Sequence, residues 1–206
     1  SILFGGGVVY LLHRGTDSSG EMGIFRGAPV EEKEQGAGLE WVVLVKQCMD
    51  LNGEGRLEEA LVKARLALGV AEKAVGAEHA DVATSLHNLG SLLCSSGAYD
   101  EAEPVLVRAL AMREKLSPKE NADIAASVNS LAYLYLSAGR LKESEPLFLR
   151  AIAMRERVLK RNHPNLASSC ESYAELLRKT GREDSAKGYE QRAATIRANQ
   201  DRGWGF

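Results

Sequence analysis

The chain repeats itself with a period of 42 residues, and this period constrains its fold more than any other feature. Residues 80–121 match residues 122–163 at 17 of 42 positions. The same spacing relates four glycines and four alanines: Gly55, Gly97, Gly139 and Gly181, and Ala67, Ala109, Ala151 and Ala193. Self-similarity at a fixed period of roughly 20–50 residues indicates an array of similar structural units. The sequence therefore predicts about four units between residues 39 and 200.

Each unit is predicted to contain two helices separated by its glycine. In the second unit Leu86, Leu89 and Leu93 are spaced three and four residues apart, as on one face of a helix. The glycine that follows is predicted to end this helix in a left-handed conformation. The recurring Ala109 and Ala151 are predicted to lie buried where helices meet. One helical pair cannot bury its apolar face alone, so the sequence predicts an all-α stack of four pairs.

The sequence of the units resembles the tetratricopeptide repeat, and in particular the subtype found in kinesin light chain. The resemblance rests on the segments His163-Pro164-Asn165, Asn88-Leu89, Gly97-Ala98-Tyr99 and Glu101-Ala102-Glu103-Pro104. It covers roughly 160 of the 206 residues. It implies a right-handed superhelix, an α-solenoid of about four helix-turn-helix units. It also implies that the first helices of the units line a concave groove that binds peptides or partner surfaces.

The groove implied by this resemblance is the candidate binding site. Its positions lie one residue away from the packing face of each first helix: Thr84, His87, Asn88 and Ser91 in the second unit, Asn129 and Tyr133 in the third, and Glu171, Glu175 and Arg178 in the fourth. Asparagine side chains both donate and accept hydrogen bonds, which suits the backbone of an extended peptide. Tyr133 offers a flat amphipathic surface of the kind enriched in binding sites. The alternative is that these residues are simply exposed polar positions.

Arginine recurs in two further columns of the repeat. The two columns, which stand beside Glu114 and Glu156, are Arg108, Arg150 and Arg192, and Arg113, Arg155 and Arg197. We predict a solvated face on which ion pairs join neighbouring repeats, each of them weak. The alternative is a stripe that binds anions.

No pattern of residues predicts catalysis, a cofactor or a bound metal. The net charge of −2 provides no basic field for nucleic acid. His79 and His163 occupy equivalent columns and are predicted to lie at helix starts, without a second ligand at metal-binding spacing. The three cysteines are odd in number, have no CxxC spacing and are predicted to be free: Cys48, Cys94 and Cys170. We therefore expect neither an enzyme nor a protein with a small-molecule substrate.

The N-terminal residues are predicted to form a separate apolar segment, residues 1–14. Residues 1–12 carry no charge, and the chain opens on Ser1. A helix of this length measures about 18 Å, too short for a hydrocarbon core of about 30 Å. With further apolar residues upstream it becomes the end of a transmembrane anchor in contact with lipid, which we predict. The alternatives are a partner-bound tail and a secretory signal peptide.

Two further segments are predicted to lie outside the repeats. Residues 15–38 are polar, glycine-rich and acidic, and they are predicted to be a linker. Residues 201–206 carry Trp204 and Phe206 with no helix to bury them. These aromatic residues either fold back on the last helix or contact a partner.

These features predict a non-catalytic scaffold for protein–protein interaction. The favoured form is a membrane-tethered accessory or assembly subunit of a larger complex, with subunits of that complex as partners. A processed protein of the mitochondrial inner membrane is the predicted setting. The alternative is a soluble, cytoplasmic adaptor that binds peptides, as the resemblance to kinesin light chain repeats implies.

Overall fold

The repeats fold into a row of eight helices. The computed structural model describes residues 12–16, 22–26 and 37–202. The helices are α1 Gly38–Gly53, α2 Leu57–Val75, α3 Ala80–Ser95, α4 Tyr99–Leu116, α5 Ala122–Ser137, α6 Leu141–Val158, α7 Pro164–Lys179 and α8 Glu183–Arg202. Each helix contacts the next, and α5 also contacts α3 and α7. The predicted four helical pairs are therefore confirmed, and the described range is an α-solenoid.

The turn inside each pair has the predicted left-handed glycine. Gly139 has a φ of +76°, which an L side chain adopts only at a cost. The amide of Arg140 donates a hydrogen bond to the carbonyl oxygen of Tyr135 at 2.8 Å, and its guanidinium lies 4.3 Å from the centre of the Tyr135 ring. The same backbone bond recurs in the other pairs, from Arg56 to Leu51, Ala98 to Leu93 and Arg182 to Leu177. This is the Schellman type of helix end.

Small residues let the helices approach closely, as the alanine column predicted. Ala109 and Ala151 are 0% exposed, which confirms their predicted burial. The nearest approach of α3 to α4 is at Gly90, where an added Cβ would lie 2.6 Å from Cγ of Leu106. Dense packing of this kind leaves little room for added atoms.

Ion pairs join successive units along the first arginine column. Three arginines reach back to a glutamate of the preceding unit: Arg108 to Glu72 at 2.8 Å, Arg150 to Glu114 at 2.5 Å, and Arg192 to Glu156. These side chains are 37–46% exposed, so each pair contributes little to stability. The predicted ion pairs between stacked repeats are confirmed for this column.

Histidine and asparagine cap the first helices. Nδ1 of His79 accepts a hydrogen bond from the amide of Asp81 at 3.1 Å, and Nδ1 of His163 accepts one from the amide of Asn165 at 3.1 Å. Asn121 occupies the same column and accepts from the amide of Ile124. A side-chain acceptor at this position satisfies an amide that has no partner within the helix. The prediction that both histidines lie at helix starts is confirmed.

A short β-hairpin departs from the predicted all-α fold. Strands β1 (Leu12–Thr16) and β2 (Met22–Arg26) pair antiparallel, with Leu12 opposite Arg26. The hairpin crosses the predicted boundary between residues 1–14 and 15–38, so the linker prediction is wrong for residues 15–16 and 22–26. The glycines and charges in these strands are typical of linkers, and they hid a pairing that depends on contacts between distant residues.

The membrane anchor is not among the elements that the structure describes. Within the described ranges, none of the helices combines the length and the apolar character needed to cross a bilayer. Residues 1–11 lie outside those ranges, and so do Trp204 and Phe206 of the tail. The anchor and the role of the tail therefore remain predictions.

The alanine column gives a test of the helix packing. Replacement of Ala109 by Leu adds three carbons at a position that is 0% exposed, and we expect it to lower the free energy of unfolding by about 1–3 kcal/mol. Ala111→Leu is the matched control, since Ala111 lies on the same helix and is exposed, and its effect should stay within about 0.5 kcal/mol. Chemical denaturation measures both. Equal effects of the two substitutions would contradict the packing described here.

Candidate functional site: the row of first helices

A pocket lies between the first helices of units one and two. Its volume is about 210 Å³. His87, Asn88 and Ser91 of α3 line one side of it, and Met49 and Asn52 of α1 line the other. Three of the predicted groove residues therefore come together at one site.

His87 is the least satisfied polar residue of this pocket. Its Nδ1 is buried and has no hydrogen-bond partner among the described residues. Burial, and then the charges of Arg113 and Arg155, lower the pKa of His87 to about 4. The imidazole is therefore neutral near pH 7, with one nitrogen to donate and one to accept a hydrogen bond. A buried polar atom without a partner costs about 1–3 kcal/mol, so this atom is suited to a water or a ligand.

Two buried arginines lie beneath the same row of helices. Arg113 donates from Nη1 to Oγ of Ser127 at 2.7 Å and to the carbonyl oxygen of Asp123 at 2.8 Å. Arg155 is 6% exposed and donates to the equivalent groups, Oγ of Ser169 and the carbonyl oxygen of Asn165. Burial lowers the pKa of both guanidinium groups, to about 10 for Arg155. These arginines bridge neighbouring units through neutral groups and give the site a positive potential.

The prediction of a solvated arginine face is therefore wrong for Arg113 and Arg155. Their side chains are 65% and 67% buried, against 0% for Arg140 and Arg182 on the ion-paired surface. Their hydrogen bonds run to serine hydroxyls and to backbone carbonyls of the next unit, which the sequence of the arginine column alone does not reveal.

The groove residues of the third unit differ from each other in their contacts. Oδ1 of Asn129 accepts a hydrogen bond from Oγ of Ser169 at 2.6 Å and a longer one from Nη1 of Arg155 at 3.4 Å. This oxygen is therefore already engaged. Tyr133, by contrast, is 44% exposed, and its ring is open to a partner. Thr84 of the second unit is half-buried on α3 and does not line the pocket.

The groove residues of the fourth unit are held in ion pairs. Glu171 pairs with Arg197 at 2.7 Å, and Glu175 pairs with Lys179 at 3.1 Å. Arg178 pairs with Glu190 of α8, which directs its side chain toward the second helix of its own unit. These three predicted residues are therefore not brought to the pocket, and their role in partner binding remains a prediction.

The first unit contributes residues that the sequence analysis did not single out. Met49 is 64% exposed and stands 42 residues before Ser91, so the repeat period alone could have identified it. Val42 is 50% exposed and stands 42 residues before Thr84. The face of the first helices therefore changes from apolar in α1, through polar in α3, to ion-paired in α7.

Comparison with known proteins agrees with this architecture. The tetratricopeptide repeat family matches residues 42–115 and 123–199. These two matches cover more than half of the chain and include parts of all eight helices. No match was found among curated protein sequences.

Several solved structures share the fold. BtubC (BKLC) from P. vanneervenii aligns with a TM-score of 0.68 and 22% identity, over 81% of this chain and 65% of that one. A putative kinesin light chain from P. anserina, with nearly identical TPR-like repeats, aligns with a TM-score of 0.59 and 22% identity, over 79% of this chain and 77% of that one. A Rap protein in complex with Competence and Sporulation Factor aligns with a TM-score of 0.68 and 20% identity, over 82% of this chain and 44% of that one.

These structural neighbours establish the fold and no more, because their sequence identities are low. This chain spans less than two thirds of BtubC and less than half of the Rap protein. It can therefore share a repeat array with them without sharing the rest of their architecture.

The buried imidazole gives a test by pH. The folded state holds the pKa of His87 at about 4, whereas the unfolded state has a pKa of about 6.5. Between these values only the unfolded state binds the proton, so stability is lost as pH falls from about 6.5 to 4, by about 3 kcal/mol from this group. His87→Asn, which copies the residue of the next unit, should remove that loss. Unfolding free energies of both proteins at pH 7 and pH 4.5 provide the measurement. A difference between them that does not change with pH would contradict the burial of His87.

Proposed function

Because this chain belongs to the tetratricopeptide repeat family, we propose that it is a non-catalytic scaffold that binds a protein partner along α1, α3 and α5. The observation that carries the proposal is the pocket of about 210 Å³ beside His87, which combines an unpartnered buried nitrogen with exposed apolar surface. Binding sites of this kind pair apolar lining with a few placed polar groups.

The chemistry of the row indicates an extended peptide. Asn88 and Ser91 can bind the backbone of such a peptide, since both side chains donate and accept hydrogen bonds. Met49 is flexible and exposed, which suits contact with an apolar side chain. Tyr133 extends the surface by one unit. The ion pairs of the fourth unit reduce its share in binding, because a ligand there must displace contacts already made.

A partner that adds one segment to the groove is consistent with the neighbours. The Rap protein of similar fold was solved in complex with Competence and Sporulation Factor, and repeats of the kinesin light chain type share this architecture. This favours the adaptor form of the proposal, in which the chain captures a peptide segment of another protein.

The second form of the proposal is a membrane-tethered subunit of a larger complex. Residues 1–12 carry no charge. The outer end of the first unit is also apolar, since Leu39, Val43 and Leu66 are 78%, 45% and 51% exposed. The later units have Asp or Asn, Ser and Arg in these three columns. A terminal repeat usually has a polar outer face, so an apolar one supports burial against another subunit. A mitochondrial inner membrane remains the proposed setting of this form, and the cytoplasm that of the adaptor.

The groove proposal is tested by selecting peptides from a displayed random library on the full chain. Ser91→Arg fills the pocket with a long charged side chain, and we expect the selected peptides to bind it at least about tenfold more weakly, a loss of about 1.4 kcal/mol. Ser185→Arg is the matched control, because Ser185 is exposed on α8. Isothermal titration calorimetry measures both affinities. Failure to select any peptide, or equal binding by the two variants, would contradict the proposal.

The tethered form is tested by deletion of residues 1–30. The repeats bury their own core without this segment, so helicity and thermal stability should stay nearly unchanged. If residues 1–12 anchor the protein, the full chain should stay in the membrane pellet through an alkaline carbonate wash, while the deletion variant is released. Release of both proteins alike would rule out the anchor. Unfolding of the deletion variant would show that the segment belongs to the repeat core.

A further inference from the structure

A notch at the C-terminal end of the solenoid is the largest cavity of the described residues. Its volume is about 780 Å³, within the range of roughly 300–1000 Å³ typical of binding pockets. Leu166 and Ile196, both buried, line it together with the exposed Thr195. Arg161 and Arg192 supply positive charge at the same site.

The notch is a feature of the repeat that is left open only at this end. A smaller cavity of about 310 Å³ lies at the equivalent place 84 residues earlier. There Lys115 and Glu78 form an ion pair at 2.5 Å. The same columns of the third unit hold Arg157 and Glu120, which pair at 2.8 Å. In the fourth unit the columns hold two amides, Asn199 and Asn162, so no ion pair joins these positions.

The chain that follows α8 carries the sequence of a helix-ending turn. Helix α8 is described to Arg202, and Gly203 and Trp204 come next. In the four turns inside the units, the residue after the left-handed glycine bonds to the residue five positions before it, as Arg140 does to Tyr135. The side chain of that residue also packs on the helix, since Arg140 lies over the Tyr135 ring. Five positions before Trp204 is Asn199, a residue of the notch.

We propose that Gly203 reverses the chain and that Trp204 docks into the notch on α8 of its own molecule. The apolar floor of Leu166 and Ile196 accommodates the indole ring, and Arg161 and Arg192 can lie against its face as cations. The tail is attached next to the notch, so its effective concentration there is high without any second molecule. The docked ring replaces the ion pair of the earlier units and closes the end of the array. A protein that binds this tail must first release it, so Trp204 is not a freely offered contact.

Fluorescence of a single tryptophan tests this inference. The chain has two tryptophans, and Trp41→Phe leaves Trp204 alone. We expect its emission to be blue-shifted from that of N-acetyltryptophanamide, and its quenching by acrylamide to be several-fold weaker. Gly203→Val should restore strong quenching, because a β-branched residue disfavours the left-handed turn. Gly205→Val is the matched control and should change neither property. Circular dichroism checks that each variant is folded.

A second pair of variants tests the place of docking. Thr195→Arg fills the notch from an exposed position and should release Trp204, while Ala194→Arg, at the exposed neighbouring position on α8, should not. Strong quenching of Trp204 in the Trp41→Phe protein would overturn the inference. Protection that survives Thr195→Arg would also overturn it, as would protection that disappears on dilution and so reports a second copy. If Trp41→Phe fails to fold, the ¹⁹F resonance of fluorotryptophan at position 204 in the otherwise unchanged chain gives the same readout.

Discussion

Each helical pair has two apolar faces and can bury only one of them within itself, and the stacking that buries the other determines the rest of this structure. The contact between units is made by α2 with α3, α4 with α5, and α6 with α7. Small residues at fixed columns allow this close approach. Ala109 and Ala151 are fully buried, and Gly90 accommodates Leu106 where any side chain would collide. The 42-residue period is therefore the sequence form of one repeated interface.

The same stacking makes the two ends of the array and its interior chemically different. Inside the array, Arg113 and Arg155 are buried because each has hydroxyl and carbonyl oxygens of the next unit to bind. At the first end no unit precedes, and Leu66 stands where the later units place an arginine that reaches back to a glutamate. The groove follows this gradient, with apolar surface on α1 and ion pairs on α7. A ligand that lies along the row therefore meets different chemistry in each unit.

Much of the fold could be predicted because its main contacts recur with the sequence. The left-handed glycines, the alanine column and the capping histidines each depend on a local rule that repeats four or fewer times. The two arginine columns could not be told apart, because Arg108 and Arg113 look alike in sequence and differ only in what the neighbouring unit offers them. His87 was identified as a groove residue, but its burial and its missing partner depend on Arg113 and Arg155, which are distant in the chain. The hairpin was missed because short strands carry little local signal.

The four histidines report on four different places, and this permits a direct test of the central claim that partners bind at the pocket beside His87. His13 lies in the hairpin, His79 and His163 cap helices, and only His87 lines the pocket. The measurement is the ¹⁵N spectrum of the histidine side chains of the full chain, before and after saturation with a peptide selected for binding. The account predicts that the His87 nitrogens shift, since Nδ1 gains a hydrogen bond or a new neighbour, while those of His79 and His163 stay in place. Shifts of His79 or His163 with an unchanged His87 would place the partner elsewhere and contradict the account.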